Sequence, residues 1–542
     1  MTRVPDRRMR GVPPLLAAIL LTALGVRLWG ITFGLPLVMA RPDELAVLFT
    51  AVRMHGGDAN PRFFDYPALY IYVLAGLFSV YYGIQLLRGR VSNPPEFVTS
   101  FRDHFEPFFL IARTTTALLG TATVYLCYRV ALPLFGRTAA LASALFLALA
   151  FLHVRDSHYG TTDVPMTFFV MAAMLAVVRL HETRAPRDAW LAGALAGCAA
   201  GTKYNAVLLV LPMLAVQVAH AWPLRREPRR VFRELHVVRW GLAFAAIFLA
   251  TNPYLLLDSE TALRDLRLLQ ASTANGMTPR DVLGRGWWYH LPFSLRHGLG
   301  LPLLTASLAG LALMLYRAPV HALVLASFPV GYYLAVGAAY NVFVRYMMPV
   351  VPFLCIFAGY LVAQLAAAVP PGRARAAAAA ALALGLAAPS AYSVVRFNTI
   401  LSAEDTRLVA GRWMHENVPA GSTISMMGTF GHLQLERAPA PPKYRYVQYD
   451  RQARRFAADA LPDWIVVQRS PLPYSYLAPE VERLIESEYR LAHTVRAGSL
   501  FQEGNVYDLQ DAFYVPYGGF RGVRRPGPNL EIYSRHPAPT GE

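Results

Sequence analysis

Apolar runs recur along most of this chain, at 12–35, 108–130, 138–153, 163–180, 189–204, 206–222, 238–256, 298–316, 320–339, 345–367 and 376–395, and short polar breaks separate them. Runs of this kind, with few charges inside, approach the ~20 residues that a helix needs to cross a hydrocarbon core of ~30 Å. The pattern predicts a polytopic helical membrane protein with about 11 spans. From about residue 398 the pattern changes. Leu408, Val409, Trp413 and Met414 keep helical spacing in 404–419, 422-STISMM-427 and 463-DWIVVQ-468 read as buried strands, and 479–489 is a second helix before strand-like 489-YRLAHTV-495. The expected organisation is a transmembrane domain over 1–397 and an extracytoplasmic α/β domain over 398–542. No internal repeat at a fixed period is visible, which argues against an inverted-repeat transporter fold.

One further run, 68–87, decides the topology. If it crosses the membrane, the basic loops around Arg137, Arg184 and Arg187, Arg225 to Arg239, Arg317, and Arg373 and Arg375 all face outward, against the tendency of Lys and Arg to stay on the cytoplasmic side. If it lies along the outer surface, those loops are all cytoplasmic. Tyr66, Tyr70, Tyr72, Phe78, Tyr81 and Tyr82 also suit the headgroup region. The second arrangement makes 36–107 one large first outer loop. It places the N-terminus in the cytoplasm, as a retained span without a cleavage site, and the C-terminal domain outside.

Composition narrows the function. The chain has 55% hydrophobic and 16% charged residues and a net charge of +17. The basic residues sit in short loops beside apolar runs, so they fit anionic lipid, and no basic, aromatic-interleaved soluble segment supports nucleic-acid binding. Cys127, Cys198 and Cys355 lie inside apolar runs without metal-ligand spacing.

The polar motifs fall at outer helix ends: Asp43 and Glu44 after the first run, 153-HVRDSHYGTTD-163, 201-GTKYN-205, 287-WWYHLPFSLRH-297 and 340-YNVFVRYMMP-349. Ionisable groups at the bilayer boundary must be solvated, paired or used, so a shared cavity is expected. An acidic pair facing basic groups there suits transfer from a lipid-linked phosphate. A carboxylate deprotonates the acceptor hydroxyl, while Lys and Arg hold the phosphate and stabilise its charge as it leaves. Asp43, Glu44 and Asp163 are the acidic candidates, although each also suits a helix start. Lys203, Arg345 and Arg113 are the phosphate candidates, with interface anchoring as the alternative. His153, His158, Tyr204, His290 and Arg296 are candidate substrate contacts. His153, Asp156, His158 and Asp163 fit no standard ligand spacing, so no metal site or cofactor is assigned, and a divalent metal stays an open alternative.

Pro42-Asp43-Glu44, 113-RTTTALLG-120, 201-GTKYN-205 and 345-RYMMP-349 on a multi-span scaffold resemble the GT-C glycosyltransferases of the protein O-mannosyltransferase and lipid A aminoarabinose transferase group, over residues 12 to 395. The resemblance implies a polyprenyl-phosphate-linked sugar donor, an inverting transfer, an outer active site in the cell membrane, and Asp43 as the essential acid. The Lys-Pro-Pro of the aminoarabinose transferases is replaced by Asp65-Tyr66-Pro67, and the C-terminal domain is unlike the β-trefoil of eukaryotic mannosyltransferases. Sugar and acceptor therefore stay open. The competing reading is a secondary transporter or lipid flippase, which would place its charges near mid-bilayer.

Overall fold

The computed structural model describes residues 13–224, 226–227, 235–275, 283–427, 443–450, 455–457, 460–511 and 513–535. The first nine α-helices are α1 (Pro14–Leu28), α2 (Pro42–Arg53), α3 (Leu69–Leu87), α4 (Pro94–Asp103), α5 (Glu106–Leu149), α6 (Phe151–Asp156), α7 (Asp163–Thr183), α8 (Pro186–Ala200) and α9 (Val210–Ala221). Four of them, α1, α2, α4 and α8, begin on proline, whose missing N–H is one the first helical turn leaves unpaired anyway.

Seven helices among the described residues are long and apolar enough to cross a membrane. The expected spans are not all separate or full-length. Two of them merge in α5, which breaks at Gly136, where φ is 79° and only glycine turns without strain. α1, α8 and Val237–Thr251 have 15 residues each, so they are about 22 Å long.

α3 has the length and composition of a span, but its contacts give its direction. The Tyr70 hydroxyl meets Ala112 O and Thr116 Oγ1, whereas Phe78 and Tyr81 further along stack on Phe108. As α3 advances, its partners on α5 move toward the N-terminal end of α5. It therefore runs antiparallel to the first turns of α5, toward the N-terminal end of that helix. Phe97 and Phe101 of α4 close the same aromatic cluster from the other side.

The centre of the helical bundle is the helix Val351–Ala366, which is apolar on every face and buried nearly throughout, as such helices must be. It packs against α5 and Leu301–Arg317 at backbone distance. A Cβ on Gly359 would lie 2.6 Å from Ala139 O, the close approach that small residues permit between membrane helices. The last bundle helix, Arg373–Leu401, ends just past the expected boundary at 397.

The C-terminal domain follows. Its strands are β1 (Thr423–Met427), β2 (Arg445–Tyr446), β3 (Tyr449–Asp450), β4 (Arg455–Phe456), β5 (Trp464–Arg469), β6 (Tyr489–Val495) and β7 (Asn529–Arg535). Five form one sheet in the order β2-β1-β5-β7-β6, with β2, β1 and β5 parallel and β7 antiparallel to both its neighbours. Ile424, Val466, Leu530 and Ile532 meet Ala410 and Met414 of the helix Thr406–Asn417. Ile465, Val467 and Met427 meet Val481 and Ile485 of the helix Pro479–Glu488. Alternate strand positions thus bury both faces of the sheet, as the apolar runs at 422–427 and 463–468 predict.

Candidate active site

A chain of tight turns after α1 ends at Arg41, and Pro42 then opens α2. Glu44, Val47, Leu48 and Ala51 share one helical face, and all four are buried. Asp43 lies about 100° around the helix from Glu44, so it is turned away from that face and its side chain is 31% exposed. The first helical turn favours both carboxylates, but the register sends them to different places.

Glu44 goes inward. Arg113 of α5 donates to it through Nε (2.8 Å) and Nη2 (2.7 Å), and Gly160 N adds a third bond at 2.8 Å. Arg113 Nη1 donates to Ile31 O and Phe33 O, and its guanidinium lies 3.9 Å over the Phe33 ring. Both side chains are sealed from solvent. Glu44, a candidate for catalysis, and Arg113, a candidate for phosphate binding, thus satisfy each other and tie α2 to α5.

Asp43 goes to a cluster of charges. Arg345 Nη2 lies 3.0 Å from Asp43 Oδ2, with Arg345 Nε 3.9 Å from Asp163 Oδ2. Lys203 Nζ donates to Asp163 Oδ1 at 2.5 Å, with the rings of Tyr346 and Tyr66 at 5.1 and 5.9 Å. The anion that faces Lys203 in the folded chain is thus Asp163, 40 positions earlier. Arg41 reaches both Asp43, at 3.5 Å, and Asp511 of the C-terminal domain. Arg155 pairs with Asp156 and Asp511, each at 3.0 Å. Asp43, Asp163, Lys203 and Arg345 are brought together, and all four lie at helix ends.

The other candidates lie elsewhere. His153 is buried against Arg27 Nη2 (2.8 Å), in a cluster where Arg27 also donates to Leu147 O and Ala148 O at the end of α5. His158 bridges Val154 O and Trp29 O. The Tyr204 hydroxyl donates to Phe64 O (3.1 Å) and holds the segment between α2 and α3, and His290 meets Ser294 Oγ (2.9 Å). The Arg296 side chain is exposed. The first four make packing or loop contacts here. Among the described residues, no group of three or more His, Cys, Asp or Glu side chains is placed to hold a metal ion.

Sequence reasoning missed Arg41, Arg155, Asp508 and Asp511. Arg155 lies within a motif singled out for its His and Asp residues. Asp508 and Asp511 stand in 505-NVYDLQDAFY-514, where two carboxylates inside an apolar, aromatic loop were the available signal. Burial pushes the Asp508 carboxyl up, and the neighbouring charge of Asp511 adds to this. Burial works the same way on Asp511, but the Arg41, Arg155 and Arg345 guanidiniums outweigh it and hold that carboxyl below the usual range.

Comparison with known proteins bears on the fold. Residues 109–254 match the profile of the family described as dolichyl-phosphate-mannose-protein mannosyltransferase. The apo structure of ArnT from Cupriavidus metallidurans superimposes on 96% of this chain and 97% of its own, with a TM-score of 0.53 at 13% identity. The same protein bound to undecaprenyl phosphate covers 97% of this chain and 99% of its own, with a TM-score of 0.51 at 14% identity. The chain has the GT-C glycosyltransferase fold. The archaeal oligosaccharyltransferase AglB from Archaeoglobus fulgidus, in complex with an inhibitory peptide and a dolichol-phosphate, aligns over 79% of this chain at 12% identity with a TM-score of 0.48, and the chain spans 60% of its length. No curated protein matches the chain. In this GT-C chain the charged cluster lies where helix ends meet the C-terminal domain.

Proposed function

We propose that the protein is an integral membrane glycosyltransferase that transfers a sugar from a polyprenyl-phosphate-linked donor to an extracytoplasmic acceptor, with Asp43 as the base. The observation that carries this reading is the contrast within the cluster. Asp43 is open, whereas Asp163 and Asp511 are buried, and buried N–H donors of Arg41 (Nε, Nη2) and Arg345 (Nη1) lack a hydrogen-bond partner among the described residues. Unfilled guanidinium donors beside an open carboxylate suit a phosphate and an acceptor hydroxyl respectively. Asp43 takes the hydroxyl proton as the acceptor oxygen bonds to the anomeric carbon. The bond from that carbon to the phosphate oxygen breaks, and its electron pair leaves on a phosphate held by Arg345, Arg41 and Lys203. Attack from the face opposite the phosphate inverts the anomeric carbon.

Mass spectrometry of cell-envelope glycans from a strain lacking the gene, complemented with wild type or Asp43→Asn, tests the reading. A glycan lost on deletion should return only with wild type, and unchanged glycans after deletion would refute the proposal. Purified protein offered undecaprenyl-phosphate mannose, glucose or arabinose with envelope extract as acceptor then identifies the donor.

A further inference from the structure

The loop that carries Asp511 is held against the bundle at several points. Val342 N donates to Gln510 Oε1 (2.8 Å), Val344 N to Asp508 Oδ2 (3.3 Å) and the Tyr517 hydroxyl to Ser294 O (2.8 Å). Within the C-terminal domain, the Tyr474 hydroxyl donates to Gln510 O at 2.8 Å. Phe513 packs edge-on to Phe33 and Tyr159. Asp511 is therefore a fixed part of the cluster, although it comes from the other domain.

Its partners are also the partners of the base. Arg41 directs Nη1 to Asp511 and Nη2 toward Asp43. Arg345 directs Nη2 to Asp43 at 3.0 Å and Nη1 toward Asp511 at 3.9 Å. Each planar guanidinium contacts one carboxylate closely and turns its other arm, without a hydrogen bond, toward the second. A guanidinium released from one carboxylate can turn its whole fork onto the other, and a bidentate fork engages both carboxylate oxygens.

We infer that Asp511 is a positioning residue for the transfer: by sharing Arg41 and Arg345 with Asp43, it stops them from closing on the base and leaves an Asp43 oxygen free for the acceptor proton. Tyr66, Tyr346, Asp163 and Lys203 complete the surroundings of Asp43, and Arg155, Asp156, Asp508 and Tyr474 those of Asp511. None of these replaces Asp511 between the two guanidiniums. The inference rests on Asp43 being the base.

Removing the Asp511 charge has two consequences of opposite sign. The base becomes engaged, so turnover falls. The arginine cluster also loses a carboxylate, so an anionic phosphate is held at least as well. A merely structural role would weaken both together.

The test uses the full chain in detergent, the donor of the panel above that wild type turns over, and a short-chain polyprenyl phosphate as binding probe. Asp511→Asn should lower kcat about tenfold or more, approaching the roughly 10² to 10⁴ of lost base function, while the probe binds as tightly or more tightly. Asp511→Glu should restore part of kcat. A kcat within about threefold of wild type, or kcat and probe affinity falling together, overturns the inference. If the amide variant does not fold, Asp511→Glu decides by the same criterion: reduced kcat at unchanged affinity supports it, and a joint fall overturns it. Asp43→Asn run in parallel separates the two levels, because turnover by that variant would end the base reading itself, whereas an inactive Asp43→Asn beside an unaffected Asp511→Asn would end only the role of Asp511.

Discussion

Asp43 and Glu44 are neighbours on the first turn of one helix, and each faces an arginine from a distant part of the chain, yet the two ion pairs are built differently. Around Glu44 and Arg113 every guanidinium nitrogen has an acceptor and both side chains are sealed from solvent. Around Asp43 the arginines are shared with Asp511, some of their N–H groups lack partners, and the carboxylate is open. A saturated pair resists change and fixes geometry. An unsaturated one keeps capacity for a substrate, and at a membrane boundary that difference separates a brace from a candidate site.

Substitutions can break or sharpen this contrast. The largest effect is expected at the open carboxylate. Asp43→Asn should lower transfer by roughly 10² to 10⁴, the usual contribution of a general base, while thermal unfolding in detergent stays close to wild type. Activity within about threefold of wild type would remove Asp43 from the mechanism. The sealed pair should behave in the opposite way. Glu44→Gln leaves Arg113 buried and uncompensated, so it should cost about 3 to 5 kcal/mol of stability, read as a lost or strongly lowered unfolding transition. If Glu44→Gln protein unfolds like wild type but cannot transfer sugar, the division between brace and site is wrong.

Lys203 lies between the two cases, because it is paired with Asp163 but stands next to Arg345. Lys203→Ala should weaken binding of a short-chain polyprenyl phosphate about tenfold, and Lys203→Arg should keep part of the affinity, since a point charge and a fork both serve one phosphate. Equal affinities for wild type and Lys203→Ala would leave Lys203 only as the partner of Asp163.

The smallest effect concerns Asp508. Its folded-state carboxyl is raised, so the folded protein binds that proton more tightly than the unfolded chain does, and stability is lost as pH rises from the ordinary carboxylate range through the raised value. Asp508→Asn removes this loss. Relative to wild type, the variant should gain stability between pH ~4.5 and ~7.5, measured by thermal unfolding at the two pH values. No relative gain over that interval would show that Asp508 carries no such penalty.

The helical scaffold was legible because burying an apolar stripe in lipid or against another helix imposes a long-range pattern that a local reading detects. The strands of the C-terminal domain were legible for the same reason. The charged residues were read less completely. Asp43, Asp163, Lys203 and Arg345 stood out because charge beside an apolar run is costly and noticeable. Arg155 stood in the same motif and drew no attention, because nothing local showed it facing Asp511. His153 and His158 drew attention as well, and a histidine near a helix end looks the same whether it meets a carbonyl or a substrate.

The sequence by itself determined the membrane scaffold and the α/β character of the C-terminal domain, and it singled out charged helix ends, because hydrophobic periodicity and the cost of charge near lipid act over a few neighbouring residues. Only the tertiary structure decided which charges meet. Glu44 finds Arg113 across 69 positions, Lys203 finds Asp163 across 40, and Arg41 finds Asp511 across 470. Partners so far apart leave no local trace. A carboxylate at the start of a helix becomes a sealed brace or an open candidate base according to which face of the helix the rest of the fold covers.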